Sequence, residues 1–176
     1  LREAIRRAVG RDRERAAQLA PDFRGAQLRL IMAYQVLGEK EKQDELRSRL
    51  RAGAGEFTPF EKLLFDLYEA RVEKRSADAL RILRILRTQA PEDLFFRVLT
   101  ALLAEQQLDL DEVVTCLGDL DDAAWEFLNR GPQGEWVFRM LTRAYHYRGD
   151  HGRELEVADR SLLVNPRSQI AILRKA

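Results

Sequence analysis

The chain has 176 residues, of which 45% are hydrophobic and 34% are charged, and its formal net charge at pH 7 is +1. This balance excludes a chain whose overall field draws it onto nucleic acid or an anionic membrane. A single cysteine, Cys116, excludes an internal disulfide framework and leaves the compartment open, and no apolar run reaches the roughly 18 residues of a membrane-spanning helix.

The basic and amphipathic segment Leu1–Ala20 is predicted to be helical, either as one helix or as two short helices divided at Gly10. It offers the best case for nucleic-acid or adaptor contact, which we keep as the alternative function. Interspersed acidic residues and the lack of aromatic residues for base stacking favour a solvated helix face instead. The chain begins at Leu1 without an initiator Met or a signal peptide, and we expect it to be part of a longer protein. The basic residues are Arg2, Arg6, Arg7, Arg11, Arg13 and Arg15.

Five prolines divide the chain into blocks of 38, 32, 41 and 34 residues. A period between about 20 and 50 residues is typical of solenoids and propellers. No segment alternates polar and apolar residues for long, and each block holds two helical periodicities, so the sequence predicts an all-α fold. The prolines are Pro21, Pro59, Pro91, Pro132 and Pro166.

Turn and capping residues give the predicted helices of the first two blocks. Thr58-Pro59-Phe60-Glu61 has the residues of a capping box with proline in the first turn. Ala52-Gly53-Ala54-Gly55 is predicted to be the most flexible stretch. The predicted helices are one that ends at Gly38, Glu39–Ala52, one that starts at Pro59, and Ala77–Thr88 capped by Ser76.

The third block begins with the most apolar helix, Leu94–Leu103, which we expect to be buried on more than one side. Leu110–Leu117 follows, Gly118-Asp119 breaks it, and Asp121–Leu128 restarts. This inserted turn accounts for the length of the block.

The last complete block, Glu135–Pro166, is predicted to hold two amphipathic helices broken at Arg148-Gly149-Asp150. Gly149 suits the left-handed residue that ends a helix, and Asp150 can cap the next one. A further helix, Ser168–Lys175, is predicted after Pro166. The residues predicted to face inward are Trp136, Phe138, Leu141, Ala144 and Tyr145 in the first helix and Leu155, Val157, Ala158 and Leu162 in the second.

Glu135–Pro166 resembles a tetratricopeptide repeat of about 34 residues, with Phe138, Leu141, Tyr145, Gly149-Asp150 and Pro166 in register. Phe60–Pro91 is similar, and the irregular blocks resemble repeat regions of bacterial regulatory proteins. Thr142, Leu67 and Glu154 depart from the pattern, Glu154 by replacing a small residue at the helix crossing. The resemblance implies a single domain, a right-handed α-solenoid of antiparallel helix pairs. Its repeats lie at about 21–58, 59–90, 91–131 and 132–165, with a partial unit at each end.

The same resemblance implies a non-catalytic scaffold that binds a protein or peptide segment in its groove, as the partner-recognition module of a larger bacterial regulator. Arg139 and Arg143 lie four residues apart and could together hold a carboxylate or a phosphorylated side chain, so the partner is expected to be acidic. The alternative for Trp136 is that it packs against Trp125–Leu128. Self-association through the ends of the solenoid is a further expectation. The predicted groove residues are Tyr68, Arg71, Arg97, Trp136, Arg139, Arg143, His146 and Tyr147.

No catalytic, cofactor or metal site is predicted. The only histidines, His146 and His151, lie on opposite sides of the Gly149 turn, and they lack the spacing that aims two ligands from one helix at one metal. We therefore interpret them as surface or groove residues. Cys116 lies in an apolar run and is predicted to be a buried structural thiol. The stripe Arg81, Arg84 and Arg87 is interpreted as a solvated face, and the acidic residues Asp109, Asp111, Asp119, Asp121 and Asp122 as helix caps.

Overall fold

The computed structural model describes residues 24–130, 134–166, 168 and 171–172. These residues form nine α-helices and one short 3-10 helix, with no strand among them, so the predicted all-α class is confirmed. The predicted helix Leu1–Ala20 and most of Ser168–Lys175 lie outside the described residues. The α-helices are α1 (Arg24–Leu37), α2 (Lys40–Ala52), α3 (Pro59–Val72), α4 (Ser76–Gln89), α5 (Leu94–Gln106), α6 (Leu110–Leu117), α7 (Asp122–Arg130), α8 (Gly134–Tyr147) and α9 (His151–Val164).

The chain divides into two compact units, with the boundary between Ile82 and Leu83, inside α4. In the first unit α1 packs against α2 and α3. Gln43 of α2 is buried, and its side-chain amide donates to the backbone oxygen of Ile31 in α1 at 3.0 Å. The largest fully buried side chains of this unit are Leu28, Ile31, Leu67 and Tyr68.

Helix α8 is the centre of the second unit, because it contacts α5, α6, α7 and α9. Its residues Phe138 and Met140 are fully inaccessible to solvent. The expectation that Leu94–Leu103 is the helix buried on several sides is only partly met, since Phe95 of α5 is 41% exposed. The apolar face of α8 is the one that the surrounding helices share.

Four described residues have a positive φ angle, and each lies directly after the last turn of an α-helix. Gly149 shows the pattern: its N–H donates to His146 O at 3.0 Å, and the N–H of Asp150 donates to Tyr145 O at 3.0 Å. This pair of hydrogen bonds defines the Schellman motif that closes a helix. The same pairs occur at the other three positions, so all four turns are built alike. The four residues are Gly38, Lys74, Leu108 and Gly149.

These four turns give the repeat of the chain more directly than the prolines do. They are separated by 36, 34 and 41 residues. The long interval contains α7, which lies between the helix pair α5 and α6 and the helix α8. The predicted insertion in the third block is therefore confirmed as an additional helix.

Local signals placed most helix ends correctly. The capping box at Thr58 and Glu61 is present, and Glu61 has a lowered pKa because it accepts a hydrogen bond from the backbone of Thr58. Two details differ: a 3-10 helix, Ala54–Glu56, occupies the stretch predicted to be flexible, and Ser76 is the first residue of α4.

The second helix of the last block also differs in which face it buries. Leu155 was predicted to face inward, but it is 45% exposed, whereas its neighbour Glu154 is 5% exposed. Ala158 and Ser161 continue the buried face. The prediction for Leu155 is wrong because the buried face of α9 is displaced by one residue and carries two polar side chains.

Candidate functional site

Helix α8 presents a polar and aromatic surface on the side opposite to its core residues. We define the α8 surface as Arg139, Arg143, His146 and Tyr147, which follow one another at spacings of four, three and one residues along the helix. Phe138, Leu141, Ala144 and Tyr145 are buried on the other side. The amphipathic pattern of the sequence therefore places four of the predicted groove residues together on one helix.

Arg143 is held in place by a neighbouring helix. Its guanidinium lies 3.3 Å from Glu105 Oε1 of α5, and it lies over the ring of Tyr147 at 5.6 Å from the centroid. The side chain of Glu105 is only 11% exposed, so the packing around it holds the carboxylate that accepts from Arg143 in place. This ion pair connects the ends of α5 and α8.

Arg139 is exposed, and no described carboxylate lies within ion-pair distance of it. About two turns further along, Tyr147 is 67% exposed and is the large aromatic side chain most open to solvent on this helix. The α8 surface thus combines one cation without a counter-ion among the described residues, one cation already paired, and an accessible aromatic ring.

Two other predicted site residues of the second unit have structural roles. Trp136 is half-buried and packs against the core cluster that contains Trp125 and Leu128, in line with the alternative expected for it. Arg97 of α5 donates from Nε to the backbone oxygen of Cys116 at 2.8 Å, and it pairs with Asp119. Both side chains therefore stabilise the unit from within.

The two predicted site residues of the first unit differ from each other. Tyr68 is fully buried, so its side chain belongs to the core and offers no surface to a partner. Arg71 is half-buried, and burial lowers the pKa of its guanidinium, while the nearby Tyr68 acts in the opposite direction. No described carboxylate lies within ion-pair distance of Arg71, so its desolvated charge has no intramolecular counter-ion among the described residues.

A cluster of titratable side chains surrounds the Gly149 turn. The Nδ1 atoms of His146 and His151 lie 3.0 and 3.2 Å from the same carboxylate oxygen, Oε2 of Glu154. The two imidazole ring centroids are 5.4 Å apart. Both histidines are surface residues, as expected, and although they lack the spacing of two ligands on one helix, the turn brings both rings to the same carboxylate.

The turn itself explains why the histidines converge. The Schellman motif at Gly149 reverses the chain within three residues, and the side chain of Asp150 caps α9 by accepting from the N–H of Arg153 at 3.2 Å. His151 then starts α9, and Glu154 lies one turn later, facing α8. Spacing rules for ligands within a single helix do not describe a site that crosses a turn. The sequence signals were a Gly-Asp turn with a histidine on each side and a glutamate in place of a small residue.

Cys116 is a fully buried thiol, as predicted. Burial raises its pKa to about 12, and the nearby Glu112 acts in the same direction against the opposing charges of Arg87 and Arg97. A thiol with a raised pKa carries little thiolate at neutral pH and is a poor nucleophile.

The acidic residues of the third block are structural. Asp109 and Asp121 accept from backbone N–H groups at the starts of α6 and α7, which confirms the capping interpretation for those two. The other three form ion pairs with arginines. These pairs are Asp111 with Arg148, Asp119 with Arg97, and Asp122 with Arg160.

The arginine stripe on α4 also has specific partners. Arg84 pairs with Asp109 and Glu112 of α6 at 2.9 and 3.1 Å, and Arg87 pairs with Glu112 at 2.5 Å. Arg84 is exposed, as the interpretation of this stripe as a solvated face predicts, whereas Arg87 is half-buried and that interpretation is wrong for it. These charges connect two helices of the second unit.

No family model matches this sequence, and no match was found among the curated proteins. The resemblance to tetratricopeptide repeats stays a prediction made from the residues themselves. None of the described helices combines the length and the apolar character that a membrane span requires.

Proposed function

We propose that this chain is a non-catalytic binding module, a right-handed α-solenoid of tetratricopeptide-like repeats that binds an acidic peptide or protein segment on the α8 surface. The observation that carries the proposal is the row formed by Arg139, Arg143 and Tyr147 on one exposed helix side. Arginine and tyrosine are enriched among the residues that dominate binding energy at protein interfaces.

The four equivalent turns support the solenoid part of the proposal. Each joins two helices through two or three residues, and such short links favour antiparallel neighbours. Helices α1 and α2, α5 and α6, and α8 and α9 are in contact within their units. The ion pair between Glu105 and Arg143 joins α5, in the third predicted repeat, to α8, in the fourth.

The charges favour an acidic partner. Arg139 is exposed, and it has no counter-ion among the described carboxylates. Its guanidinium can hold a carboxylate or phosphate through two parallel hydrogen bonds. Arg143 differs, because a ligand must compete with Glu105 for it.

The proposal is tested with peptides of defined charge. Acidic peptides and their neutral amide counterparts are titrated into the chain, and binding is followed by fluorescence polarisation at low and physiological salt. We expect the acidic peptides to bind at least about tenfold more tightly, with affinity that falls as salt screens the arginines. The double variant Arg139→Glu, Arg143→Glu should weaken that binding by at least about tenfold.

A matched charge reversal separates the α8 surface from an effect of overall charge. Arg81 is exposed on α4, so the single variants Arg81→Glu and Arg139→Glu change the net charge equally. Arg81→Glu should leave peptide affinity within about twofold of the unchanged chain. Equal losses in both single variants, or equal affinity for acidic and neutral peptides, would contradict the assignment of the α8 surface.

A further inference from the structure

We propose that His146, His151 and Glu154 form a binding site for a divalent transition-metal ion of the zinc class. One ligand atom from each residue lies within 4.8 Å of the ligand atoms of the other two. A tetrahedral zinc ion with bonds of about 2.0–2.1 Å holds its ligands about 3.3 Å apart. The two distances from histidine Nδ1 to glutamate Oε2 are 3.0 and 3.2 Å, so both already match that separation within a few tenths of an ångström.

The three ligands differ in mobility in a way that suits an ion entering from solvent. The Glu154 side chain is only 7% exposed and is fixed on α9 against α8. The side chains of His146 and His151 are 47% and 65% exposed, so small rotations of these rings can adjust the distance between their nitrogens. The buried carboxylate and the two accessible imidazoles therefore supply three of the four ligands of a tetrahedral ion.

The ligand set selects the class of metal. Two imidazole nitrogens and one carboxylate oxygen suit zinc, cobalt, nickel and copper, whereas magnesium and calcium prefer sites made of oxygen atoms. Three protein ligands also leave one tetrahedral position, and the exposed sides of the two rings allow water to take it. An ion bound here would connect α8 to α9 across the Gly149 turn.

Hydrogen bonds without a metal ion are a second explanation of the same geometry. The state of the two imidazole rings distinguishes this explanation from a metal site. Without metal, one carboxylate oxygen accepts a hydrogen bond from the Nδ1–H group of each ring. With metal, both Nδ1 atoms lose that proton and bind the ion through their lone pairs. Because His146 and His151 are the only histidines of the chain, a spectrum of its imidazoles contains only these two rings.

The experiment titrates zinc chloride into the full chain after removal of any histidine tag. Calorimetry should give one ion per chain, and the long-range ¹H–¹⁵N spectrum should show Nδ1 of both rings changing together. The melting temperature should rise by about 5 °C or more at a hundredfold excess over the dissociation constant, because the ion binds only the folded chain. Magnesium chloride at the same concentrations should produce none of these changes.

Single variants identify the ligands. His146→Ala, His151→Ala and Glu154→Gln should each weaken zinc binding by at least about tenfold. Glu105→Gln is the matched control, because Glu105 is a half-buried carboxylate of the same unit paired with an arginine, and its variant should keep zinc affinity within about twofold. Circular dichroism reports whether Glu154→Gln folds, and the exposed His151 provides the decisive variant if it does not.

Three outcomes would overturn the site. Absence of saturable zinc binding would leave a cluster held only by hydrogen bonds. Weak binding of several zinc ions per chain that is unchanged in His151→Ala would indicate that the ions bind to surface carboxylates. Half an equivalent of zinc, bound together with the formation of a dimer, would place the ion between two chains. The site does not depend on peptide binding, so failure of either proposal leaves the other standing.

Discussion

The two units each bury a glutamate beside a Schellman turn, and they neutralise it in different ways. Glu69 of α3 is 8% exposed and pairs with two arginines of α2, Arg47 at 2.5 Å and Arg51. Glu154 of α9 is 5% exposed and accepts from two histidines. Arginine carries a permanent charge and has no lone pair to offer, whereas histidine can exchange its proton for a metal ion.

The difference indicates that one cluster is dedicated to stability and the other is open to ligand exchange. Burial acts to raise the pKa of Glu69, but the hydrogen bonds and charges of Arg47 and Arg51 outweigh it and the pKa is lowered. The same contact raises the pKa of Arg47, chiefly through its hydrogen bond to Glu69. The Glu69 cluster therefore favours the charged pair in the folded state, and the predictions below test that contrast.

The largest expected effect is that of Glu69→Gln, which removes the carboxylate and leaves two guanidinium groups beside a neutral amide. We expect the free energy of unfolding to fall by about 2 kcal/mol, because the largely buried Arg47 loses the nearest of its three carboxylate partners and keeps only Asp44 and Glu73. Urea denaturation followed by circular dichroism measures it. In chelator-treated protein Glu154→Gln should cost only about 1 kcal/mol, since its amide oxygen still accepts from an imidazole N–H. Equal losses in the two variants would remove the distinction between the clusters.

Acid should remove the contribution that the ionised Glu69 makes to the free energy of unfolding. Its folded-state pKa lies below the ordinary value of 4.5, so its contribution is fully present above that value and is lost as the pH falls through the lower folded-state pKa. The difference in stability between the unchanged chain and Glu69→Gln should be constant near neutral pH and should shrink below about pH 4. Urea denaturation of both proteins at matched pH values tests this, and a difference that grows on acidification would contradict it.

The turn beside Glu154 should tolerate substitution poorly. Gly149 has φ of +72°, and an added Cβ would meet no atom within 4 Å, so the cost of Gly149→Ala comes from backbone conformation alone. We expect a loss of about 1 kcal/mol in thermal or urea denaturation. Because the turn orients His146 and His151, zinc affinity should fall in the same variant. Gly152→Ala, a nearby substitution at ordinary φ, is the control and should preserve that affinity.

The turn beside Glu69 should respond in the opposite direction. Lys74 has φ of +60°. This left-handed conformation is unfavourable for a residue with a Cβ atom, whereas glycine adopts it without that strain. Lys74→Gly should therefore stabilise the chain by about 0.5 kcal/mol, the conformational gain being reduced by the greater freedom of glycine in the unfolded chain. The melting temperature measures it, with Lys62→Gly in the interior of α3 as a control that should destabilise.

Much of the fold followed from residues that act over a few positions. The predicted helix Leu110–Leu117 has the observed bounds, and the capping box at Thr58 and the break at Gly149 lie where expected. The turns at Lys74 and Leu108 were not recognised, because neither carries the glycine that marks a left-handed residue. Their structure became visible only through the hydrogen bonds that they share with Gly38 and Gly149.

The candidate site was predicted less completely. The family resemblance predicted Arg139, Arg143 and Tyr147 as groove residues, but it did not show that Tyr68 is core or that Arg97 pairs with Asp119. A helical pattern defines a face about 100° wide, and two adjacent residues can both lie at its edge. Neighbouring helices decide which of them is buried, as at Glu154 and Leu155.

The amino-acid sequence by itself determined where the helices of this protein begin and end, because caps, glycines and apolar spacing act through backbone preferences and hydrogen bonds within one or two turns. The tertiary structure decided which charged groups meet. Glu105 with Arg143, Glu69 with Arg47, and Glu154 with the two histidines all join residues across a turn or between helices. Such contacts depend on how helices pack, and packing reflects the side chains of several elements at once.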